Sequence, residues 1–219
     1  MSARWSVAFL VAIAAALPAC GGDEGTGPPP PPPPPPFVNE PDDVIEDLRI
    51  AWESRSPGME AFLASDFTFH FAPFDVEFWA VPPSWGTAEE LSCATNIFSG
   101  DPGVRPGGAF QAPVDVRFGF GINLMPVESA WATTTRQDAP FAGLISRRYD
   151  VLMFAQYESS DFDFVGSRSE FFLAEETFTQ NDGTEARRYV LKVWRDLGNP
   201  NPALRHGTIS WGFFKWMYQ

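Results

Sequence analysis

Histidine and cysteine are nearly missing from this 219-residue chain, at two each, and lysine occurs only at Lys192 and Lys215. So few nitrogen and sulfur ligands leave little from which to build a zinc site, and no metal is expected. Basic residues are scarce as a class: 15 Lys and Arg stand against 28 Asp and Glu, for a net charge of −13. Phosphate binding runs on basic clusters, so nucleic acid is excluded as a partner. The same charge argues against a domain lying flat on an anionic bilayer, and it is read as serving solubility. Also missing are H-E-x-x-H, paired C-x-x-C, a P-loop, a nucleophile elbow and the dinucleotide glycine motif. "GFGIN", residues 119–123, lacks the third glycine and the helix it would open, so no cofactor is expected.

The N-terminal apolar run, Trp5 to Leu17, is shorter than the ~20 residues a membrane span needs. Arg4 before it and small residues after it describe a secretory signal peptide, residues 1–19. Leu17-Pro18-Ala19-Cys20 resembles the lipobox of bacterial lipoproteins. That resemblance implies cleavage before Cys20, a diacylglycerol on its thiol and usually an acyl chain such as palmitate on the new amine. The alternative is a plain secretory peptide that ends near a cysteine. Two or more acyl chains give a stable anchor where one gives only a marginal one. Gly21 is not the aspartate of inner-membrane retention, so an outer membrane is the expected address if the host has two. With Cys20 lipidated, Cys93 has no disulfide partner and is read as a small buried hydrophobe. Residues 20–36 form a tether: GGDEGTG is flexible, and Pro28 to Pro36 is a polyproline II rod of roughly 28 Å.

Residues 37–219 suit one domain with a sizeable core, and residues 197–219 are read as a C-terminal extension of it. NEPDDVIEDLRIAWESRSP predicts a helix with Val44, Ile45, Leu48, Ala51 and Trp52 on one face. PGMEAFLA predicts a second, short helix. In SDFTFHF, Phe67, Phe69 and Phe71 alternate with Asp66, Thr68 and His70, as in a half-buried strand. APFDVEFWAVPPS reads as a loop. WGTAEELSCATNIFSG reads as a third helix, with a Thr87/Glu90 capping box and Leu91, Ala94 and Phe98 as its buried stripe. Strands follow around Val114, Val116, Phe118 and Phe120, then in RRYDVLMFAQY, DFVGSRSEFFLA and EARRYVLKVWRD, with a hairpin turn at Asn181-Asp182-Gly183. The tail ISWGFFKWMYQ fits either a short helix capped by Ser210 or an edge strand. Helices first and strands after imply an α+β domain with helices on one face of a curved antiparallel sheet.

This order is similar to the NTF2-like (SnoaL-like, cystatin-like cone) superfamily. The residues that carry the resemblance are VIEDLRIAWESRSPGMEAFLASDFTFHF, WGTAEELSCATNIFSG and the Trp194-x-Asp196 ending of RRYVLKVWRD, over about Pro41 to Asp196. The resemblance implies a cone with an apolar pocket between helices and sheet, with Trp52, Phe69, Tyr149, Tyr157 and Trp194 as its candidate lining. Members include isomerases, hydrolases, dehydratases and cyclases as well as non-catalytic proteins, and homodimers through the sheet are common. Fold therefore does not choose function. Asp66 and His70 share one strand face and are the candidate catalytic pair, a carboxylate orienting an imidazole base; the competing reading is a solvated strand face. Tyr149, Tyr157 and Glu170 fit an isomerase-like set by type, but no spacing compels it. The expected function is a membrane-tethered envelope lipoprotein whose non-catalytic domain binds a small apolar ligand or an envelope protein. The alternative is a small-molecule isomerase, hydrolase or cyclase acting in the cone.

Overall fold

The structure, a computed structural model, describes residues 34–105, 108–118, 125–199 and 209–219. The signal peptide, Cys20, the tether up to residue 33, Phe120, GFGIN and His206 lie outside the described residues. Helix α1, Pro41–Ser54, starts where Pro41 fits the first turn and Asp43 accepts from the Glu40 backbone N–H at 2.8 Å. Its buried residues are Val44, Ile45, Leu48, Ala51 and Trp52, the face the spacing predicts. A 3-10 turn, Pro57–Phe62, leads into β1, Leu63–His70, which buries Phe67 and Phe69.

The expected loop after β1 instead contains a short helix, α2, Pro73–Trp79. Its flanking prolines and four large apolar residues hide its helical period. Strand β2, Ser84–Gly86, precedes helix α3, Thr87–Ser99. The capping box differs from expectation. Gly86 is the N-cap and its N–H donates to Glu89 at 3.0 Å, which leaves Glu90 turned into the core. The buried stripe becomes Glu90, Cys93, Ala94 and Ile97, with Leu91 and Phe98 only half-buried. Cys93 is a free, fully buried thiol.

A two-residue hairpin, β3 Val104–Arg105 and β4 Gly108–Ala109, is followed by β5, Pro113–Arg117. Val114 faces solvent although Val116 is buried, because the register shifts between Pro113 and Asp115. Short β6, Met125–Pro126, and β7, Ala132–Thr133, then lead to the long strands β8, Ile145–Tyr157, β9, Phe162–Thr179, and β10, Glu185–Asp196. The β9–β10 turn runs through Asn181-Asp182-Gly183, where Gly183 adopts φ 85°. Helix α4, Trp211–Met217, closes the described chain, with Ser210 as its N-cap accepting from the Phe213 N–H at 2.9 Å.

The class is α+β: apart from the β3–β4 hairpin, the described strands make an eight-stranded curved sheet ordered β2-β1-β10-β9-β8-β5, with β6 and β7 also on β8. Helices on one face of a curved sheet is the arrangement the resemblance implies. The sheet is mixed rather than antiparallel, since β1 and β10 run parallel with Phe69 opposite Trp194. These strands lie far apart in sequence, so no hairpin dictates their direction. The main core joins α1, α3, α4 and the inner face of the sheet, while Phe141, Leu144, Phe172 and Val193 form a smaller core of their own.

Gly212 sits where α4 meets β1. A Cβ there would lie 2.9 Å from Phe71 Cδ1, 3.2 Å from Asp196 Oδ2 and 3.3 Å from Phe69 Cε1. Gly212→Ala is therefore expected to cost about 1–3 kcal/mol and lower Tm by several degrees in a thermal melt. An unchanged Tm would mean that α4 is free to move away from the sheet.

Candidate functional site

Strand alternation puts Phe69 on the inner face, and its pairing with Trp194 places the two rings side by side at 5.6 Å. Phe171 of β9 adds a third ring, 5.0 Å from Trp194. From the helices come Trp52 of α1 and Trp211 of α4, which meet edge to face at 4.8 Å. Trp211 also stacks on Trp194 at 5.2 Å and on Phe118 at 5.0 Å. All six rings are buried. Aromatic pairs at such distances contribute about 0.5–1.5 kcal/mol beyond the area they bury. The candidate lining residues Trp52, Phe69 and Trp194 thus pack, together with Phe118, Phe171 and Trp211, as one cluster of buried rings. The indole N–H groups of Trp52 and Trp211 are buried and have no hydrogen-bond partner among the described residues.

Into this aromatic layer α4 carries a charge. The Lys215 ammonium lies 2.7 and 2.8 Å from the two carboxylate oxygens of Glu90, and both side chains are buried. It also sits 3.4 Å from the Phe69 ring centroid and 4.2 Å from that of Trp194. Trp85 Nε1 donates to Glu90 at 2.8 Å, so the carboxylate is held from two sides. Burial pushes the Lys215 ammonium below its ordinary pKa, and the Glu90 charge opposes that shift. The Cys93 thiol, which donates to the Lys215 carbonyl at 3.1 Å, is pushed up by its burial and by Glu90.

The start of α4 is tied to two buried carboxylates. Asp196, at the end of β10, accepts from the Gly212 N–H at 2.7 Å, the Gly198 N–H at 2.8 Å and the Ser167 hydroxyl. Asp75 of α2 accepts from the Ser210 hydroxyl. Burial raises both carboxyls; the hydrogen bonds from their donors work against it, and the Asp196 charge adds to the rise at Asp75, which reaches about 6.

Of the residues the sequence singles out, Trp52, Phe69 and Trp194 come together here. Tyr149 joins them through Phe171, at 5.5 Å, while its hydroxyl donates to Asp42 at 3.1 Å. Arg147 and the Trp131 indole also reach Asp42, at 2.9 and 2.8 Å, and together these contacts pin the first turn of α1. Tyr157 lies elsewhere: its hydroxyl donates to Asp163 at 2.8 Å and receives Tyr218 at 3.3 Å. Burial raises the phenol pKa of both, further helped by Asp42 at Tyr149 and by Tyr218 and Asp163 at Tyr157.

Asp66 and His70 are not brought together in the cone. Asp66 is exposed and ion-paired with Lys192. His70 packs on Phe141 at 5.6 Å, with its Nε2 buried and without a hydrogen-bond partner among the described residues. Desolvation, with Arg195 and Arg136 nearby, holds its pKa below the ordinary value. Glu170 faces Arg195 at 3.5 Å. Sequence reasoning misses Glu90, Lys215 and Asp75. Asp75 and Lys215 each stand as an isolated charge between apolar residues, in Phe-Asp-Val and Phe-Lys-Trp, whereas Glu90 follows Glu89 and reads only as a capping acid. No cluster of His, Cys, Asp and Glu able to hold a metal occurs among the described residues, and none of their helices is long and apolar enough to cross a membrane.

No protein-family profile matches the sequence, and comparison with curated proteins finds no match. Among solved structures, a proposed aromatic ring hydroxylase of Novosphingobium aromaticivorans is similar at 15% identity and a TM-score of 0.43, over 74% of this chain and 87% of that one. ActVI-ORFA of Streptomyces coelicolor gives 13% and 0.40, over 70% and 90%. AusH of Aspergillus nidulans gives 8% and 0.38, over 80% and 94%. Likeness at these levels assigns no chemistry.

Asp75 yields a pH prediction. A carboxyl whose folded pKa is raised stabilises the fold fully below its unfolded value of 3.8, and that contribution fades as pH rises through about 6. Asp75→Asn stays neutral throughout. Urea titrations of both proteins are expected to show the variant gaining on the native chain between about pH 4 and pH 6, by on the order of 2–3 kcal/mol. A constant difference across that range would remove Asp75 as the cause.

Proposed function

We propose that this chain is a lipid-tethered protein of the cell envelope, anchored through Cys20, whose domain binds rather than catalyses and meets its partner over its surface. The observation that carries this reading is the interior of the domain. Trp52, Phe69, Phe118, Phe171, Trp194 and Trp211 pack against one another there, and its buried charges are committed to one another through Glu90–Lys215 and to α4 through Asp196. The pair on which catalysis would rest, Asp66 and His70, is instead engaged by Lys192 and Phe141. Apolar surface is also available outside. Phe78 and Trp79 at the end of α2 are 60% and 43% exposed and touch edge to face at 4.9 Å. Exposed aromatic pairs of this kind suit a protein contact. The lipobox and proline rod support the tether, since they would hold such a surface clear of the headgroups.

Two measurements on the chain made in an envelope-bearing host test this. Fractionation is expected to find the native protein with membranes and Cys20→Ser in the soluble fraction; a variant that still sediments with membranes overturns the lipid anchor. Native and denaturing mass spectra of the mature protein are expected to give the same protein mass apart from lipid. A small molecule held natively and lost on denaturation would overturn the surface reading in favour of a pocket.

A further inference from the structure

Lys215 is held as a protein holds a ligand. Its ammonium is fully buried, bonded to both oxygens of one carboxylate and set against the Phe69 and Trp194 rings, with Trp85 and Trp211 centroids at 5.6 and 5.9 Å. A carboxylate with several ring faces is the chemistry that recognises free alkylammonium ions. The walls of this cage are positioned mostly without Lys215. Trp85 Nε1 orients Glu90, Trp194 Nε1 is anchored on Ser169 at 2.9 Å, and Phe69 is fixed between two paired strands. Only Trp211 and the ammonium itself come from α4.

We propose that the Glu90 cage is a binding site for a primary alkylammonium ion, whose resident occupant is the side chain of Lys215. This site lies inside the domain and stands apart from the surface contact proposed above. With Lys215 removed, Glu90 would be left buried and unpaired, which is strongly destabilising, so a cation is expected to restore the site where a neutral molecule of equal size is not.

Lys215→Ala in the full chain removes the atoms of n-propylammonium and leaves Glu90 and the rings in place. Thermal melts of this variant are compared in n-propylammonium chloride and in n-propanol, with sodium chloride matching the ionic strength. The ammonium salt at about 100 times its Kd is expected to raise Tm by on the order of 5 °C, with little effect on the native chain. The alcohol is expected to do much less, and Glu90→Gln added to Lys215→Ala is expected to erase the difference. Equal stabilisation by both solutes, by neither, or a preference that survives Glu90→Gln overturns the proposal. If Lys215→Ala does not stay folded, refolding yield from urea is read in the same two solutes by circular dichroism. Recovery in the amine alone supports the site, and recovery in both or in neither overturns it.

Discussion

The contact between Lys215 and Glu90 does more than join two side chains. Removing an ammonium and a carboxylate from water costs several kcal/mol per ion, and their attraction offsets this only when geometry and further donors are good. Here the carboxylate receives the ammonium on both oxygens and the Trp85 indole on one of them. The rings of Phe69 and Trp194 lie against the cation. Helix α4 reads Trp-Gly-Phe-Phe-Lys-Trp-Met, apolar on nearly every side. Such a helix would bury comparable area in several rotations about its axis. A single buried charge that can be satisfied at one place removes that freedom, as a polar residue fixes register in a coiled coil. The packing of Trp211 on Trp52, Trp194 and Phe118 follows from the rotation so chosen.

The other end of α4 is fixed by different chemistry. Asp196 takes one of the backbone N–H groups a helix start leaves free, that of Gly212, while Ser210 takes that of Phe213 and gives its own proton to Asp75. β10 therefore ends in a residue that reaches forward to the final helix, which is why Trp194 and Asp196 belong to one local pattern. The indole stacks on α4 and the carboxylate holds its first turn. The absence of a Cβ at Gly212 lets the helix come this close to Phe69 and Phe71.

What the sequence reveals and hides divides along range. The apolar face of α1 and the alternation of β1 are set by neighbours within a turn or a pleat, and both are legible. The partners that matter in the buried interior are not local: Glu90 meets Lys215 across 125 residues, and Asp75 meets Ser210 across 135. Read in its own helix, Glu90 looks like a capping or surface acid. Only the start of α3 at Thr87, which makes Glu89 the capping residue, turns Glu90 inward. Val114 fails for a related reason, because a one-residue register shift changes which face a strand residue takes. His70 was legible as lying opposite the phenylalanines; that Phe141, far along the chain, would cover it was not.

Buried rings packed this closely change what a partner has to overcome. For a small molecule to enter between α1 and the sheet, Trp211, Phe214 and Met217 would have to leave a buried environment. Each such side chain contributes about 1.5–3 kcal/mol by its burial, and the Glu90 carboxylate would lose its counter-ion. Drug-sized ligands gain only about 0.3 kcal/mol per heavy atom, so most of their binding energy would go into displacing α4. A macromolecule touching Phe78 and Trp79 faces no such competition, since those rings are already at the surface. The exception is a ligand that restores what α4 supplies, a cation for Glu90, which is why the charge on Lys215 and not the bulk of the helix decides what chemistry the interior could accept.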